Sequence, residues 1–240
     1  MLTGGVTHQE VALLCEYAKQ MAEFSNRNDA SQAPREKSNL PVVAAVLAAG
    51  LSRRMGARNK LLQEIDGAPM VRKVVEHALA SHCSRVLVVV GHQADKVRDA
   101  LSGLNVQFIE NAGYEEGLAA SVRTAAAAAR SGEALLICLG DMPRVPAAVY
   151  NQLIDAYVGQ PGKAAYQPAL DGKRGNPVLW APSAVSGLKT LRGDEGARSI
   201  LRELNDRVAV VSVQTDGILM DIDTPEALRA ARHQEKFPRP

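Results

Sequence analysis

Four short runs of apolar residues constrain the fold of this chain more than any other feature of its sequence. They lie at residues 42–49, 85–91, 105–110 and 134–141. Continuous runs of this length are typical of strands that are buried on both faces, as in parallel sheets. Segments with helical patterns separate them, at 69–81, 93–102 and 117–130. This alternation predicts βαβ units and an α/β fold.

The second half of the chain is less regular and mixes helices with short strands. We predict strands at 164–168, 176–180, 208–213 and 218–221, a turn at 171–175, and helices at 146–158, 183–190 and 196–205. A last helix should begin after Thr224, a favourable N-cap residue, with Pro225 at its first position. Together the two halves predict a Rossmann-like, doubly wound and mostly parallel sheet.

The first 40 residues follow a different pattern. Residues 9–24 carry apolar side chains at helical spacing, and a polar stretch without periodicity follows them. We therefore expect an N-terminal helical extension and linker at 1–40, a domain at 41–235 and a tail at 236–240. A helix packed on the flank of the domain and a dimerisation or docking arm are both open alternatives.

Composition narrows the partners and the compartment. The formal net charge of the 240 residues is only +2, so no global basic field indicates a nucleic-acid partner. The apolar runs are far shorter than the roughly 20 residues of a membrane-spanning helix, and we expect neither a membrane partner nor a signal peptide. Three widely spaced cysteines fit neither a disulfide framework nor a zinc knuckle. A cytoplasmic location is the expectation.

The stretch VLAAGLSRRMGARNK, at residues 46–60, concentrates positive charge just after the first predicted strand. Ligands of parallel sheets bind at the carboxyl ends of the strands, where Gly50 lies. Backbone N–H groups and the nearby cations suit a chain of phosphates. Those cations are Arg53, Arg54, Arg58 and Lys60. The spacing matches neither the G-x-x-x-x-G-K-[ST] phosphate loop nor the G-x-G-x-x-G dinucleotide fingerprint.

Carboxylates follow two further predicted elements. Asp141 ends the run at 134–141, and Asp221 and Asp223 come immediately before the last helix. Magnesium prefers one or two carboxylates together with water and phosphate oxygens, so these residues are candidate metal ligands. Each also has a structural explanation, because aspartates are common in turns after strands and at the starts of helices.

Residues 47–60 closely resemble the signature L-A-A-G-x-S-x-R-M-G-x-x-K of sugar-phosphate and molybdenum-cofactor nucleotidyltransferases. The matching positions are Leu47, Ala48, Ala49, Gly50, Ser52, Arg54, Met55 and Gly56, and Lys60 matches the final lysine with one extra residue before it. The resemblance covers about residues 42–232 and implies the nucleotide-diphospho-sugar transferase type of fold. It implies that this loop, including Arg53, wraps a triphosphate, and that Arg54 and Lys60 neutralise charge during catalysis.

The acidic segments share this resemblance. The sequence LGDMP resembles the metal aspartate motif of these transferases, and DIDTPEAL resembles their element D-x-D-T-P-E-D-L. The resemblance therefore implies that Asp141 and Asp223 hold Mg²⁺, with Asp141 also among the catalytic residues. Whether Asp221 or Asp223 touches the ion is open.

Three more segments resemble molybdopterin cytidylyltransferases: EGLAASVRTA at 116–125, GKRGNPVLW at 172–180 and GDEGAR at 193–198. They imply that the acceptor is held by four residues, which are Arg174, Gly175, Asn176 and Arg198. The chain departs from the pattern at Asn176, where the family has histidine, and at Leu118, where it has methionine. Ala49 stands where guanylyltransferases usually have the first of two consecutive glycines, which favours cytosine over guanine.

The implied reaction joins CMP from CTP to the terminal phosphate of molybdenum-molybdopterin, with Mg²⁺, and releases pyrophosphate. The expected partners are CTP, a phosphorylated pterin, and a molybdoenzyme or its maturation chaperone. Three alternatives are open: a nucleotidyltransferase for a sugar phosphate or another phosphorylated small molecule, a non-catalytic cofactor-delivery protein, and a reductase on the same scaffold.

Overall fold

The computed structural model describes residues 41–55, 59–192 and 197–234. The N-terminal helix and linker predicted at 1–40 and the tail predicted at 236–240 lie outside the described residues. Within the described ranges, no helix is both long and apolar enough to cross a membrane.

Most strands join one sheet, with helices on both sides. In chain order, the strands β1 to β10 are Val42–Ala48, Glu64–Ile65, Ala68–Pro69, Arg85–Val90, Gln107–Glu110, Ala134–Leu139, Ala165–Leu170, Lys173–Arg174, Val178–Trp180 and Val208–Ser212. The main sheet has the order β10-β7-β9-β6-β1-β4-β5, and β8 pairs with β7. Its pairs are parallel except those made by β8 and β9. The predicted mostly parallel α/β sheet is confirmed.

The helices fall close to their predicted positions. In chain order, α1 to α7 are Met70–Leu79, Ala94–Ala100, Leu118–Ala128, Ala147–Gly159, Pro182–Leu188, Arg198–Leu204 and Pro225–Gln234. The start of α7 is confirmed at Pro225. The hydroxyl of Thr224 accepts a hydrogen bond from the Ala227 N–H at 3.2 Å, as an N-cap does.

Strand β1 explains why the apolar runs are continuous. Its side chains alternate between two cores, one on each face of the sheet. Val42, Ala44, Val46 and Ala48 face the core that contains α1, α2 and α4. Val43, Ala45, Leu47 and Ala49 face the core that contains α3, α5 and α6. A strand covered on both faces needs apolar residues at every position.

One predicted strand is wrong. Residues 218–221 do not pair in the sheet, because Asp216–Leu219 form a 3₁₀ turn. The turn binds neighbouring backbone instead of a strand ladder: the Asn176 N–H donates to the Ile218 carbonyl at 3.0 Å. Ile218 is nevertheless buried in the core, and that burial explains the apolar run that suggested a strand.

A small hairpin, made of β2 and β3, was not predicted. Its turn residues Asp66 and Gly67 both have positive φ, at 50° and 74°. An Asp-Gly pair is a strong hairpin signal, so the sequence did contain the information. The hairpin matters for the site because Ile65 and Met70 share a small core with Ile222 and Leu228. This small core fixes α7 and the residues that precede it.

Candidate active site

A cleft of about 420 Å³ opens at the carboxyl ends of the strands near β1. Strand β1 lies between β4 and β6, where successive crossovers go to opposite sides of the sheet, and such switch points are where ligands bind in open α/β sheets. The cleft is lined by Leu47 and residues 49–52 at the end of β1, by 60–61, by 114–118 with Ser121, and by 139–141 at the end of β6.

One ammonium group connects the two candidate metal acids. Lys60 Nζ donates to Asp141 Oδ2 at 2.5 Å and also to Asp223 Oδ1. The side chains of Lys60 and Asp141 are only 14% and 16% exposed, so the pair is largely shielded from water. Arg54 Nη1 lies 3.3 Å from Asp223 Oδ2, but the Arg54 side chain is exposed. The structure thus brings together residues that are 81 and 163 positions apart.

Backbone contacts hold these three residues in place. The Lys60 N–H donates to Ser52 Oγ at 3.1 Å, and Ser52 has the left-handed φ of 53°, which is unusual for a residue other than glycine. Asn59 Oδ1 accepts from the Leu61 N–H at 3.0 Å. The Ile222 N–H donates to the Asp141 carbonyl at 3.0 Å. This bond places Asp223, the residue after Ile222, beside Asp141.

The cluster shifts the pKa of each member in a direction set by burial and charge. Burial disfavours the Lys60 ammonium, but the carboxylates of Asp141 and Asp223 outweigh it and raise the Lys60 pKa. Burial dominates at Asp141 and raises its pKa despite the neighbouring ammonium. At Asp223, which is more exposed, the bond from Lys60 prevails over burial and lowers the pKa. Lys60 is therefore a cation at neutral pH.

Asp141 and Asp223 fit a divalent ion whose other ligands are substrate phosphates and water. Asp141 Oδ1 is buried and has no hydrogen-bond partner, so this oxygen is available to a ligand. Among the described residues, no three His, Cys, Asp or Glu side chains lie close enough together to hold a metal ion. Two carboxylates with substrate phosphates and water are what magnesium commonly uses. Of the two candidate acids near α7, Asp223 contacts Lys60 and Arg54, and Asp221 is exposed.

Gly140 and Gly50 both line the cleft, but packing within the protein requires glycine only at Gly140. A Cβ atom added to Gly140 would lie 2.8 Å from the Leu47 carbonyl, so the close approach of β6 to β1 requires glycine there. A Cβ atom added to Gly50 would meet no protein atom within 4 Å. Packing therefore leaves the identity of Gly50 unexplained, whereas close approach of a ligand would explain it.

Two of the predicted acceptor residues lie beside the cleft. Asn176 and Arg198 line a second cavity of about 70 Å³, which is mostly apolar and shares Leu47, Leu118 and Leu139 with the cleft. Arg174 is exposed on β8. Gly175 packs so tightly against the 216–219 turn that an added Cβ would lie 2.2 Å from the Ile218 carbonyl. Its environment gives Gly175 a structural role.

The predicted site residues leave out one wall of the cleft. Tyr114 and Glu115 line it, on the segment that follows β5, and the EGLAASVRTA segment continues it from Glu116. Asn111 anchors this segment, because its side chain is buried and donates to Ser121 Oγ at 3.1 Å. The rule that ligands bind beyond the carboxyl ends of parallel strands could have identified this wall, since the β5 run was predicted to end at residue 110.

The remaining predicted site residues are placed as follows. Ala48 ends β1 and is buried, and Arg53 and Met55 are part of a 3₁₀ turn, Arg53–Met55. Gly56 and Arg58 lie outside the described residues, as do residues 193–196 of the GDEGAR segment.

Sequence comparison gives two kinds of relative. Nicotine blue oxidoreductase of Paenarthrobacter nicotinovorans is 29% identical over 198 residues, which cover 80% of this chain and 97% of that protein. The bifunctional protein GlmU of Paraburkholderia phymatum is 33% identical over 186 residues, or 76% of this chain. The chain spans only 41% of the length of that GlmU protein.

Solved structures share the fold at low sequence identity. A nucleotidyl transferase from Methanothermobacter thermautotroptrophicus has a TM-score of 0.69 at 24% identity, over 82% of this chain and 98% of that one. A Mycobacterium tuberculosis H37Rv protein in complex with manganese has a TM-score of 0.67 at 22% identity, over 80% and 98%. CMP:2-keto-3-deoxy-manno-octonic acid synthetase, complexed with CTP, has a TM-score of 0.67 at 15% identity, over 82% and 98%.

The family comparison is the most specific of these findings. Residues 44–210, more than half of the chain, match the family described as the MobA-like NTP transferase domain. That range includes the cleft, Lys60 and Asp141. The chain therefore belongs to the MobA-like NTP transferase domain family, and it is an enzyme of the nucleotidyltransferase class, whose members with this fold are generally dependent on a divalent metal.

Proposed function

We propose that this protein is a cytidylyltransferase that joins CMP from CTP to the terminal phosphate of molybdenum-molybdopterin, with Mg²⁺, and releases pyrophosphate. The observation that carries the proposal is the Lys60 ammonium held between Asp141 and Asp223 at the edge of the cleft. It provides a cation and two acids where a triphosphate and its metal have to meet.

The charges of the cleft favour one orientation of the nucleotide. Ser52 and Lys60 offer a hydroxyl and an ammonium to the phosphates, whereas the exposed carboxylate of Glu115 repels them. The triphosphate therefore lies against the 50–60 segment, and the nucleoside lies nearer Tyr114. The methyl group of Ala49 occupies buried space beside Gly91. It leaves less room for the base at the nucleoside end of the cleft, so a pyrimidine fits there better than a purine.

In the proposed reaction, a phosphate oxygen of the acceptor attacks the α-phosphorus of CTP. The bond from the α-phosphorus to the bridging oxygen breaks, and pyrophosphate leaves. A phosphate monoester is already mostly ionised at pH 7, since its second pKa is about 6, so no side chain has to remove a proton. Catalysis then depends on positioning and on charge stabilisation.

Each residue of the cluster has a part in this scheme. Lys60 and Arg54 neutralise charge that builds up on the departing pyrophosphate. Asp141 and Asp223 would hold Mg²⁺, which when bound neutralises phosphate oxygens and stabilises the transition state. Asn176 and Arg198, in the cavity beside the cleft, are proposed to contact the acceptor. A phosphorylated pterin, delivered to a molybdoenzyme or its chaperone, is the acceptor we favour.

Two labels on CTP test this function. With molybdenum-loaded molybdopterin as acceptor, label on the α-phosphate should appear in the organic product and label on the γ-phosphate in pyrophosphate. Sugar phosphates and other triphosphates, run in parallel, define the acceptor and the base. Asp141→Asn should stop both the transfer of the α-label and the release of labelled pyrophosphate. Transfer of the γ-label to any acceptor would refute nucleotidyl transfer.

A redox activity is the second candidate, favoured by the similarity to nicotine blue oxidoreductase over nearly the whole of that protein. The G-x-G-x-x-G fingerprint is absent after β1, so a nicotinamide coenzyme would need another mode of binding. Absorbance at 340 nm, followed with NADPH and candidate electron acceptors, distinguishes the two activities. Oxidation of NADPH without pyrophosphate release would favour the reductase.

A further inference from the structure

The position of Lys60 has a consequence for the order in which ligands bind. Its ammonium contacts both acids that are proposed to hold the metal, Asp141 and Asp223. A magnesium ion held by both acids would need the space between their two carboxylates. In the ligand-free chain Lys60 Nζ fills that space, 2.5 Å from Asp141 Oδ2 and in contact with Asp223 Oδ1. The ammonium and the metal cannot occupy this place together.

We propose that Lys60 is an internal substitute for the metal: it neutralises Asp141 and Asp223 until a triphosphate draws its ammonium away, so that the divalent ion binds with the nucleotide and not before it. This inference rests on the proposed function, since it takes the two acids as metal ligands. It adds a binding order and a second position for the Lys60 side chain.

The electrostatics of the acids support this exchange. Asp141 is largely buried, and an isolated buried carboxylate is costly, so the ligand-free protein needs a cation beside it. A dication that approaches while the ammonium is in place is repelled at short range. The acids also offer too few ligands for an ion without substrate, because no third His, Cys, Asp or Glu side chain completes the group in the described ranges.

The triphosphate resolves this competition. It supplies phosphate oxygens as additional metal ligands, and it supplies new anionic partners for Lys60. Lys60 has a flexible four-carbon stem, and its backbone is anchored by the bond from its N–H to Ser52 Oγ. The side chain can therefore move from the acids to the phosphates without a change in the main chain.

Binding of Mn²⁺ in the absence of nucleotide tests the proposal. Free Mn²⁺ is measured by electron paramagnetic resonance with the wild-type chain, Lys60→Met, and Lys73→Met as the matched control. Lys73 makes an ion pair with Asp66 at 2.9 Å and does not line the cleft. Lys60→Met should bind Mn²⁺ at least about tenfold more tightly than wild type, because the competing charge is gone. Lys73→Met should bind it like wild type.

Two further variants complete this experiment. Lys60→Gln replaces Lys60→Met if circular dichroism shows that the first variant is unfolded. The gain in affinity should disappear in Lys60→Met combined with Asp141→Asn. Unchanged or weaker Mn²⁺ binding by the neutral Lys60 variant would overturn the proposal, as would a gain that survives in the double variant.

Failure of this inference and failure of the proposed function have different signatures. Mn²⁺ with the α,β-methylene analogue of CTP should bind the wild-type chain more tightly than Mn²⁺ alone. Lack of analogue binding by wild type would count against the nucleotidyltransferase proposal. The comparison of variants with Mn²⁺ alone contains no nucleotide, so it decides the role of Lys60 independently.

Discussion

Lys60 Nζ lies 2.5 Å from Asp141 Oδ2, although 81 positions separate the two residues in the chain. Lys60 lies at the end of the loop segment that leaves β1. Asp141 follows β6, the strand that pairs with β1 in parallel register. The carboxyl ends of neighbouring parallel strands lie at the same edge of the sheet, so the fold places Lys60 close to Asp141. The same edge forms the cleft.

Removal of the Lys60 charge should impair catalysis strongly. Lys60→Ala is expected to lower the rate of pyrophosphate release at saturating CTP by at least about 100-fold, because the departing phosphates lose a cation that neutralises them. Circular dichroism should show an intact fold. Lys73→Ala, which removes a lysine from an ion pair outside the cleft, is the control and should keep the wild-type rate. Near-normal release by Lys60→Ala would contradict the assignment of the 50–60 segment.

Gly50→Ala should separate ligand binding from stability. The added methyl group has open space in the ligand-free chain, so the free energy of unfolding should change by less than about 0.5 kcal/mol. Binding of the α,β-methylene CTP analogue, measured by calorimetry, should weaken because the methyl group blocks close approach of a phosphate. Gly140→Ala is the counterpart and should destabilise the fold, since its Cβ would lie 2.8 Å from the Leu47 carbonyl. Unchanged analogue binding by Gly50→Ala would show that the triphosphate lies elsewhere.

Gly175→Ala tests the structural role of a residue that the family resemblance assigned to the acceptor. The added Cβ would lie 2.2 Å from the Ile218 carbonyl, and we expect a loss of about 2 kcal/mol or more in unfolding free energy from the displaced turn. Gly187→Ala, in α5 with nothing within 4 Å of its added Cβ, should be neutral or slightly stabilising. Urea unfolding at neutral pH measures both. Equal stability of the two variants would refute the close contact at Gly175.

The ion pair between Arg85 and Glu133 should make stability depend on pH. Glu133 is 5% exposed and accepts two hydrogen bonds from Arg85, at 2.9 and 2.6 Å, and these bonds hold the Glu133 pKa below its ordinary value of 4.5. A carboxylate with a lowered pKa in the folded state stabilises the fold above its unfolded pKa, and that contribution is lost as the pH falls through the folded pKa. Glu133→Gln should therefore cost about 3 kcal/mol at pH 7.

The difference between wild type and Glu133→Gln should shrink progressively as the pH falls below 4.5, in urea titrations at pH 7, 5, 4 and 3. Glu226→Gln is the control, because its pair with Arg229 is exposed and should matter little at any of these values. A constant difference across the range would show that Glu133 acts through packing and not through its charge.

The elements with a clear sequence signal were predictable, and the contacts between them were not. The continuous apolar run of β1 reflects burial on both faces, and the loop motif stands within one short segment, so local sequence was sufficient for both. The bond from Lys60 to Asp223 joins residues 163 positions apart and depends on the small core that fixes α7. No local pattern contains that information. For the same reason, the sequence left open whether Asp221 or Asp223 touches the ion.

The wrong strand at 218–221 and the close packing of Gly175 have one cause. Ile218 is apolar because it enters the core, and Gly175 is glycine because the Ile218 carbonyl approaches it closely. An apolar run does not distinguish a buried strand from a buried turn, and a glycine in a family motif does not reveal whether a ligand or the chain itself requires it. The packing of the 216–219 turn against β7 and β8 explains both features.

A crystal structure with the α,β-methylene analogue of CTP and Mn²⁺ tests the central claim most directly, because anomalous scattering identifies the metal. We expect one metal peak in contact with the carboxylates of Asp141 and Asp223, the triphosphate beside Gly50 and Ser52, and the Lys60 ammonium on a phosphate oxygen. A structure in which Lys60 still bridges the two acids, while the analogue and the metal bind outside this cleft, would contradict it.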